Sequence, residues 1–270
     1  MRIAKGGIAF FDSGIGGLTV LAECKKRFPN EIFYYYGDNR HAPYGNRSNK
    51  QIQNLVERAV KKLLRFHIKA LVLACNTATA VCVERLRERY DFPIIGAEPA
   101  LLSAVGVADE VLILSTKATN QSPRFRALLK KAKRRAANTR WIDYPCERLA
   151  GEIEKNIFNA AYDYTPLLPP CNPQAVVLGC THYIYIKEQI QNFYGCKIFD
   201  GNEGIANRLE SVLSPKTENG REEQPLVTPF PFAPKNISQN PQNPAPVFFL
   251  GSRKIHNFRV YEQMFVKCRK

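Results

Sequence analysis

The 270-residue chain has no run of about 18 uncharged apolar residues, so a helical membrane span is excluded on length alone. Its first residues, Met1 to Gly7, pass into an apolar strand-like run with no signal-peptide core, and the expectation is a soluble, cytoplasmic protein with no membrane partner. No Cys-x-x-Cys pair occurs among the eight cysteines. The closest two are Cys75 and Cys82, a spacing that argues against a metal site. In a reducing compartment a disulfide framework is excluded too, which leaves packing or catalysis for the thiols. A phosphate-binding Gly-x-x-x-x-Gly-Lys-[Ser/Thr] loop is missing, and Gly14-Ile-Gly16-Gly17 lacks the dinucleotide-binding spacing. With 45% apolar residues the chain is not disordered, and at roughly 150 residues per domain it is long enough for about two.

Acidic residues are scarce as well: 24 against 39 Lys and Arg, a net charge of +15. Between Pro123 and Ile142 there are eight basic residues and no acidic one: Arg124, Arg126, Lys130, Lys131, Lys133, Arg134, Arg135 and Arg140. Interleaved Phe125, Leu128, Leu129 and Ala132 make this segment one surface helix with an inward apolar stripe. Such a helix is either a solvated face or a contact for something anionic. Without aromatic stacking platforms or a base-reading motif, nucleic acid is not the expected partner. The other compositional break is Ser214 to Pro246, where eight of the 18 prolines fall in an irregular connection before a strand at Val247–Leu250 and a closing helix at Asn257–Val266.

Through the rest of the chain, short apolar runs alternate with helical patterns. Gly7–Phe11, Ile32–Tyr36 and Ala70–Ala74 are each followed by a helix, over Leu18–Phe28, Asn49–Phe66 and Ala78–Tyr90. The rhythm restarts with Val111–Leu114, the basic helix, Thr139–Asp143, a helix over Arg148–Phe158, and Ala175–Leu178. This order predicts an α/β protein with parallel sheets covered by helices, and ligands gather at the carboxyl ends of such strands. Two of those ends match: Ala70-Leu-Val-Leu-Ala-Cys75-Asn-Thr77 and Ala175-Val-Val-Leu-Gly-Cys180-Thr-His182. Ile8–Ser13 and Val111–Thr116 echo each other more faintly. An internal duplication would give two pseudo-symmetric lobes, with Cys75 and Cys180 flanking the cleft between them.

A cysteine after a buried strand is most often a small buried hydrophobe. Two at equivalent strand ends, each followed by hydrogen-bonding residues and a helix start, suggest chemistry. The helix N-terminus is expected to lower a thiol pKa. A thiolate and a thiol on opposite faces of a carbon remove a proton from one side and return it on the other, inverting the centre. The first strand end, Asp12-Ser13-Gly14-Ile15-Gly16-Gly17, offers close backbone approach, with Asp12 placed for a substrate ammonium or for steering a thiol. Gly37-Asp38-Asn39 and Ala42-Pro43-Tyr44-Gly45 follow the second strand as a turn with an aromatic lid. The other six cysteines lack this context and are assigned to packing.

Phe11-Asp-Ser-Gly-Ile-Gly-Gly-Leu-Thr-Val-Leu21, Tyr36-Gly-Asp-Asn-Arg-His-Ala-Pro-Tyr-Gly45, Ala74-Cys-Asn-Thr-Ala-Thr79 and Gly179-Cys-Thr-His-Tyr183 fall in this order, and from about residue 8 to 213 the chain resembles the glutamate racemases of the aspartate/glutamate racemase superfamily. The resemblance implies a cofactor-independent amino-acid racemase, a homodimer, whose product D-glutamate supplies peptidoglycan. It implies that Cys75 and Cys180 are the two acid/base residues, Asp12 supporting Cys75 and His182 supporting Cys180. Asp12, Ser13, Tyr44, Gly45, Asn76, Thr77, Thr181 and His182 match substrate-holding positions, Thr116 adds a hydroxyl, and a family glutamate falls on Glu154 or Glu152. The expected division is 1–97 plus 208–270 for the first lobe and 98–207 for the second. Ile184-Tyr-Ile-Lys187 and Cys146-Glu-Arg-Leu149 depart from the family pattern. An aspartate or hydantoin racemase of the same superfamily, or a polyanion-binding protein using the 124–140 helix, are the competing readings.

Overall fold

The computed structural model describes residues 6–213, 245–252 and 256–268. The irregular connection expected from Ser214 lies outside them except at Ala245 and Pro246. Two parallel sheets form, one to a lobe. The first has five strands in the order β4-β3-β1-β2-β9, formed by β1 (Gly7–Asp12), β2 (Phe33–Gly37), β3 (Ile68–Leu73), β4 (Ile94–Gly96) and β9 (Val247–Gly251). The second has four in the order β6-β5-β7-β8, from β5 (Glu110–Ser115), β6 (Arg140–Pro145), β7 (Ala175–Gly179) and β8 (Lys197–Phe199). Every pairing in both is parallel.

Because side chains alternate along a strand, each sheet feeds two cores. Ile8, Phe10 and Val72 point to one face, where α1 (Leu18–Arg27) packs, while Ala9, Phe11, Leu71 and Leu73 meet α2 (Asn49–Leu63) and α3 (Asn76–Arg89) on the other. In the second lobe Leu112, Leu114, Val176 and Leu178 pack on α6 (Leu149–Asn156) and α7 (Lys187–Tyr194), and Val111, Ile113 and Val177 on α5 (Pro123–Arg135). The short α4 (Lys117–Asn120) opens the second lobe's first crossover.

Registers bear out the internal duplication. Phe11 pairs with Leu73 and Leu114 with Leu178, which brings Asp12 and Ser115, Ser13 and Thr116, and Cys75 and Cys180 to equivalent places. The edge strands β4 and β8 have three residues each and escape a periodicity argument.

The basic helix ends at Arg135, not near 140. Thr139 and Arg140 are instead drawn to the turn before β5, where Thr139 Oγ1 donates to the Ala108 carbonyl at 3.1 Å and the Arg140 amide to that of Asp109 at 2.7 Å. Its Phe125 and Ala132 are buried and Arg126, Lys130, Lys131, Lys133, Arg134 and Arg135 exposed, the pattern of a solvated face. Arg124 turns the other way and pairs with Glu84 of the first lobe and Glu98. The chain also returns to the first lobe earlier than residue 208: in α8 (Asn202–Leu213), Ile205, Ala206 and Leu209 already join the core around α1. The last helix, α9 (His256–Cys268), closes that core with Tyr261, Met264 and Phe265.

Candidate active site

Cys75 leaves β3 and caps α3, its sulfur accepting from the Ala78 amide at 3.5 Å. The thiol donates to Ser13 Oγ at 3.4 Å. The lowered pKa expected of a helix-terminal thiol is not found. Burial, reinforced by the nearby Asp12 charge, pushes Cys75 up to about 12 and outweighs both hydrogen bonds. The helix end cannot offset this desolvation, and at neutral pH Cys75 is the proton-bearing partner.

Cys180 follows β7 and starts the tight helical turn Thr181–Ile186. Its sulfur lies 3.9 Å from His182 Nδ1, while His182 Nε2 meets Glu154 Oε2 at 2.5 Å. Burial works against a charged imidazole here, but the bonds to Cys180 and Glu154 prevail and hold the His182 pKa well above 6.5. The imidazolium therefore presents an N–H and a positive charge to the Cys180 sulfur, where negative charge develops in proton abstraction. Of the two candidate glutamates, Glu154 is the one in the cleft; Glu152 bonds Lys155 and Tyr162 instead.

Asp12 is fully buried and joins the lobes: Oδ1 accepts from the Gly14 amide at 2.8 Å and Oδ2 from Thr181 Oγ1 at 3.2 Å. The side chain bonded to Cys75 is Ser13, and Asp12 acts on that thiol through its charge. Burial raises the Asp12 pKa, opposed in part by His182 and these hydrogen bonds. A carboxyl whose pKa rises on folding is favoured by the fold when protonated, and its contribution is lost as pH rises through the folded value. Asp12→Asn is therefore expected to raise Tm at pH 7 by about 2–4 °C while cutting turnover by roughly 10²-fold; paired thermal melts and rate measurements check both.

Thr77 Oγ1 of the first lobe lies 2.8 Å from Thr116 Oγ1 of the second, and the Gly45 carbonyl accepts from the Ala118 amide at 3.2 Å. Gly16 touches the second lobe so closely that an added Cβ would overlap Thr181 Oγ1 and come within 2.9 Å of the His182 amide. Gly16→Ala should force the lobes apart and lower kcat/KM by about 10²-fold, measurable in the same rate assay. Asn76 Oδ1 is buried without a partner, and Asn76 lines a small cavity with Cys180, Thr181, Glu98 and Asn202. That cavity, about 10 Å³, holds little more than a water molecule. Tyr44 is no lid: it is buried, its ring tilted against Phe11, and it donates to Asp38 Oδ2 at 2.6 Å, while Asp38 also meets His41 Nδ1 at 2.8 Å.

Sequence reasoning overlooked Asn39, whose Nδ2 donates to Glu154 Oε1 at 2.5 Å, and the tyrosines behind the glycine turn. Tyr35 donates to the Gly14 carbonyl and Tyr185 to that of Ile15, each at 2.8 Å. Asn39 stood inside a motif already singled out; Tyr185 stood in the segment that departs from the family pattern. Among the described residues, no group of three or more His, Cys, Asp or Glu could hold a metal ion, and no helix is long and apolar enough to cross a membrane.

Two α/β lobes with a strand-end thiol facing the seam from each define a class of enzyme, and residues 19–209 match the profile of the Asp/Glu/Hydantoin racemase family. The chain belongs to that family. Among curated relatives, glutamate racemase from Clostridium novyi is 39% identical over 224 residues, covering 79% of this chain and 85% of the relative. A second, from Clostridium perfringens, is 39% identical over 228 residues, covering 80% and 85%. Of solved structures, a glutamate racemase of Bacillus anthracis superposes with a TM-score of 0.76 at 27% identity, covering 97% of this chain and 94% of that one. The Francisella tularensis glutamate racemase in complex with D-glutamate gives 0.74 at 26% identity, with the same coverage.

Proposed function

We propose that this chain interconverts L- and D-glutamate without a cofactor, Cys75 and Cys180 exchanging the roles of acid and base on opposite faces of the α-carbon. The observation that carries this reading is the asymmetry of the two thiols. Cys75 is held protonated by burial, while Cys180 faces an imidazolium backed by Glu154. A thiol held protonated on one side, and on the other a sulfur beside a positive charge that favours developing negative charge, suit inversion in one direction; the product state is its mirror image.

Asp12, or the unpartnered Asn76 Oδ1, is suited to the substrate ammonium. Ser13, Thr77, Thr116, Thr181 and the backbone N–H groups of the glycine turn are suited to its carboxylates, whose fixed neutralisation lowers the cost of a carbanion at Cα. Tyr44 and Gly45 shape the turn that abuts Thr116, and Asp38 holds Tyr44. Closure of the lobes excludes water from the reacting centre. The family likeness further supports a cytoplasmic homodimer supplying D-glutamate to peptidoglycan.

Circular dichroism of L-glutamate, D-glutamate and L-aspartate incubated with the protein, without pyridoxal phosphate, tests the reading. Decay of both glutamate signals to zero is expected. Racemisation of aspartate alone would assign the protein to a sister activity.

A further inference from the structure

Behind His182 the hydrogen bonding does not stop at Glu154. Glu154 Oε1 accepts from Asn39 Nδ2, and the same amide turns its Oδ1 toward the Tyr261 hydroxyl. Tyr261 belongs to α9, far along the chain from every motif that forms the site, yet it is fully buried and its hydroxyl also approaches the Gly37 carbonyl at 3.1 Å. The ring is gripped by Tyr35 and Phe249, with centroids at 5.4 and 6.0 Å. The Glu154 carboxylate can only accept, so it takes the N–H₂ end of the Asn39 amide, and Oδ1 is left to the phenolic proton that the Gly37 carbonyl shares.

An amide is symmetric in shape and opposite in polarity at its two ends. Were it to flip, Oδ1 would face Glu154 and repel it, and the carboxylate would lose a donor as it pairs with His182. The acceptor-only carboxylate at one end and the phenolic proton at the other together select the useful orientation. Burial and the nearby Glu154 and Asp12 carboxyls keep this phenol protonated, hence a donor throughout the working pH range.

We propose that Asn39 and Tyr261 are positioning residues for the Cys180 side of the reaction: the hydroxyl of α9 orients the Asn39 amide, which holds Glu154 against His182. The inference rests on the two-thiol reading above. It makes the C-terminal helix part of the catalytic apparatus, although no atom of that helix is proposed to touch substrate.

Tyr261→Phe keeps the ring and its packing and removes only the donor; Asn39→Ala removes the relay. Each is expected to lower kcat/KM by about tenfold, and the double variant to lose no more than either alone, because the residues act through one path. The two enantiomers have equal free energy, so kcat/KM must fall by the same factor in both directions. The direction-specific readout is the isotope effect of α-deuterated glutamate. Where Cys180 removes the deuteron, impairing it makes that transfer more limiting and the effect rises. Where Cys75 removes the deuteron and Cys180 returns a solvent-derived proton, the effect falls toward one. A loss caused by loosened packing alone moves neither. Multiplying losses in the double variant, or isotope effects unchanged in both directions, would overturn the proposal while leaving wild-type racemisation intact. No racemisation by the wild type would instead overturn the reading it rests on.

Discussion

Replacing Cys75 with alanine is expected to abolish racemisation of both enantiomers, and so is replacing Cys180. The loss should reach roughly 10⁴-fold or more, the upper range for removal of a positioned acid or base. The argument is one of reversibility. A proton taken by Cys75 from one enantiomer is balanced by one delivered from Cys180, and the reverse reaction runs the same two transfers backwards. Neither direction is served by a single sulfur. Cysteine to serine should leave at most a trace, because a hydroxyl is far less acidic than a thiol and cannot supply a comparable anion. Both alanine variants should fold: each thiol is small and lies at a strand end, and the truncation removes one atom from a nearly closed site. Full activity in either alanine variant would reject the two-thiol mechanism. Stopped reactions sampled by circular dichroism from each enantiomer supply the measurement.

His182→Gln should follow with a loss of about 10²–10³-fold in kcat/KM, equal in the two directions. Glutamine retains some hydrogen-bonding capacity but not the positive charge beside Cys180. The same residue makes a stability prediction with a definite sign. Although burial opposes the charged ring, the bonds to Cys180 and Glu154 raise its folded pKa well above 6.5. Its contribution to stability is therefore fully present below the ordinary value near 6.5 and is lost as pH rises through the raised folded one. Wild type should exceed His182→Gln in Tm by a wider margin at pH 6 than at pH 9. Glu154→Gln should narrow that margin too, since it removes a partner that favours the charged ring. A difference in Tm that does not vary with pH would contradict the charged state assigned to His182.

How much of this was legible beforehand depends on whether the determinant was local. Apolar runs followed by helical patterns are local, and both sheets follow from them, apart from β4 and β8, too short at three residues to show a period. The paired cysteines were legible because the duplication repeats a string of residues and not merely a shape. The Cys75 pKa was not. Local chemistry points downward through the helix end, whereas the outcome is set by burial, which depends on how elements distant in the chain pack around the sulfur. The choice between Glu154 and Glu152 likewise waits on the direction α6 presents each side chain, two residues apart and so pointing to different sides of a helix. Asp12 hydrogen-bonds Gly14 and Thr181 at the seam, and it is Ser13, one residue on, whose side chain reaches the Cys75 sulfur, a distinction that adjacent positions in the sequence do not show. Tyr261 had no signal at all in its surroundings, because the amide it meets comes from the far end of the chain.

The central claim is that two different thiols handle the incoming and outgoing protons, and the most direct test is racemisation of L-glutamate in D₂O followed at early times. The abstracted proton stays on one sulfur while the carbon receives hydrogen from the other, which has exchanged with solvent. D-glutamate should carry α-deuterium from the first turnovers while the remaining L-glutamate stays unlabelled. Label entering both enantiomers together, or unlabelled D-glutamate formed by internal return of the same proton, would contradict it.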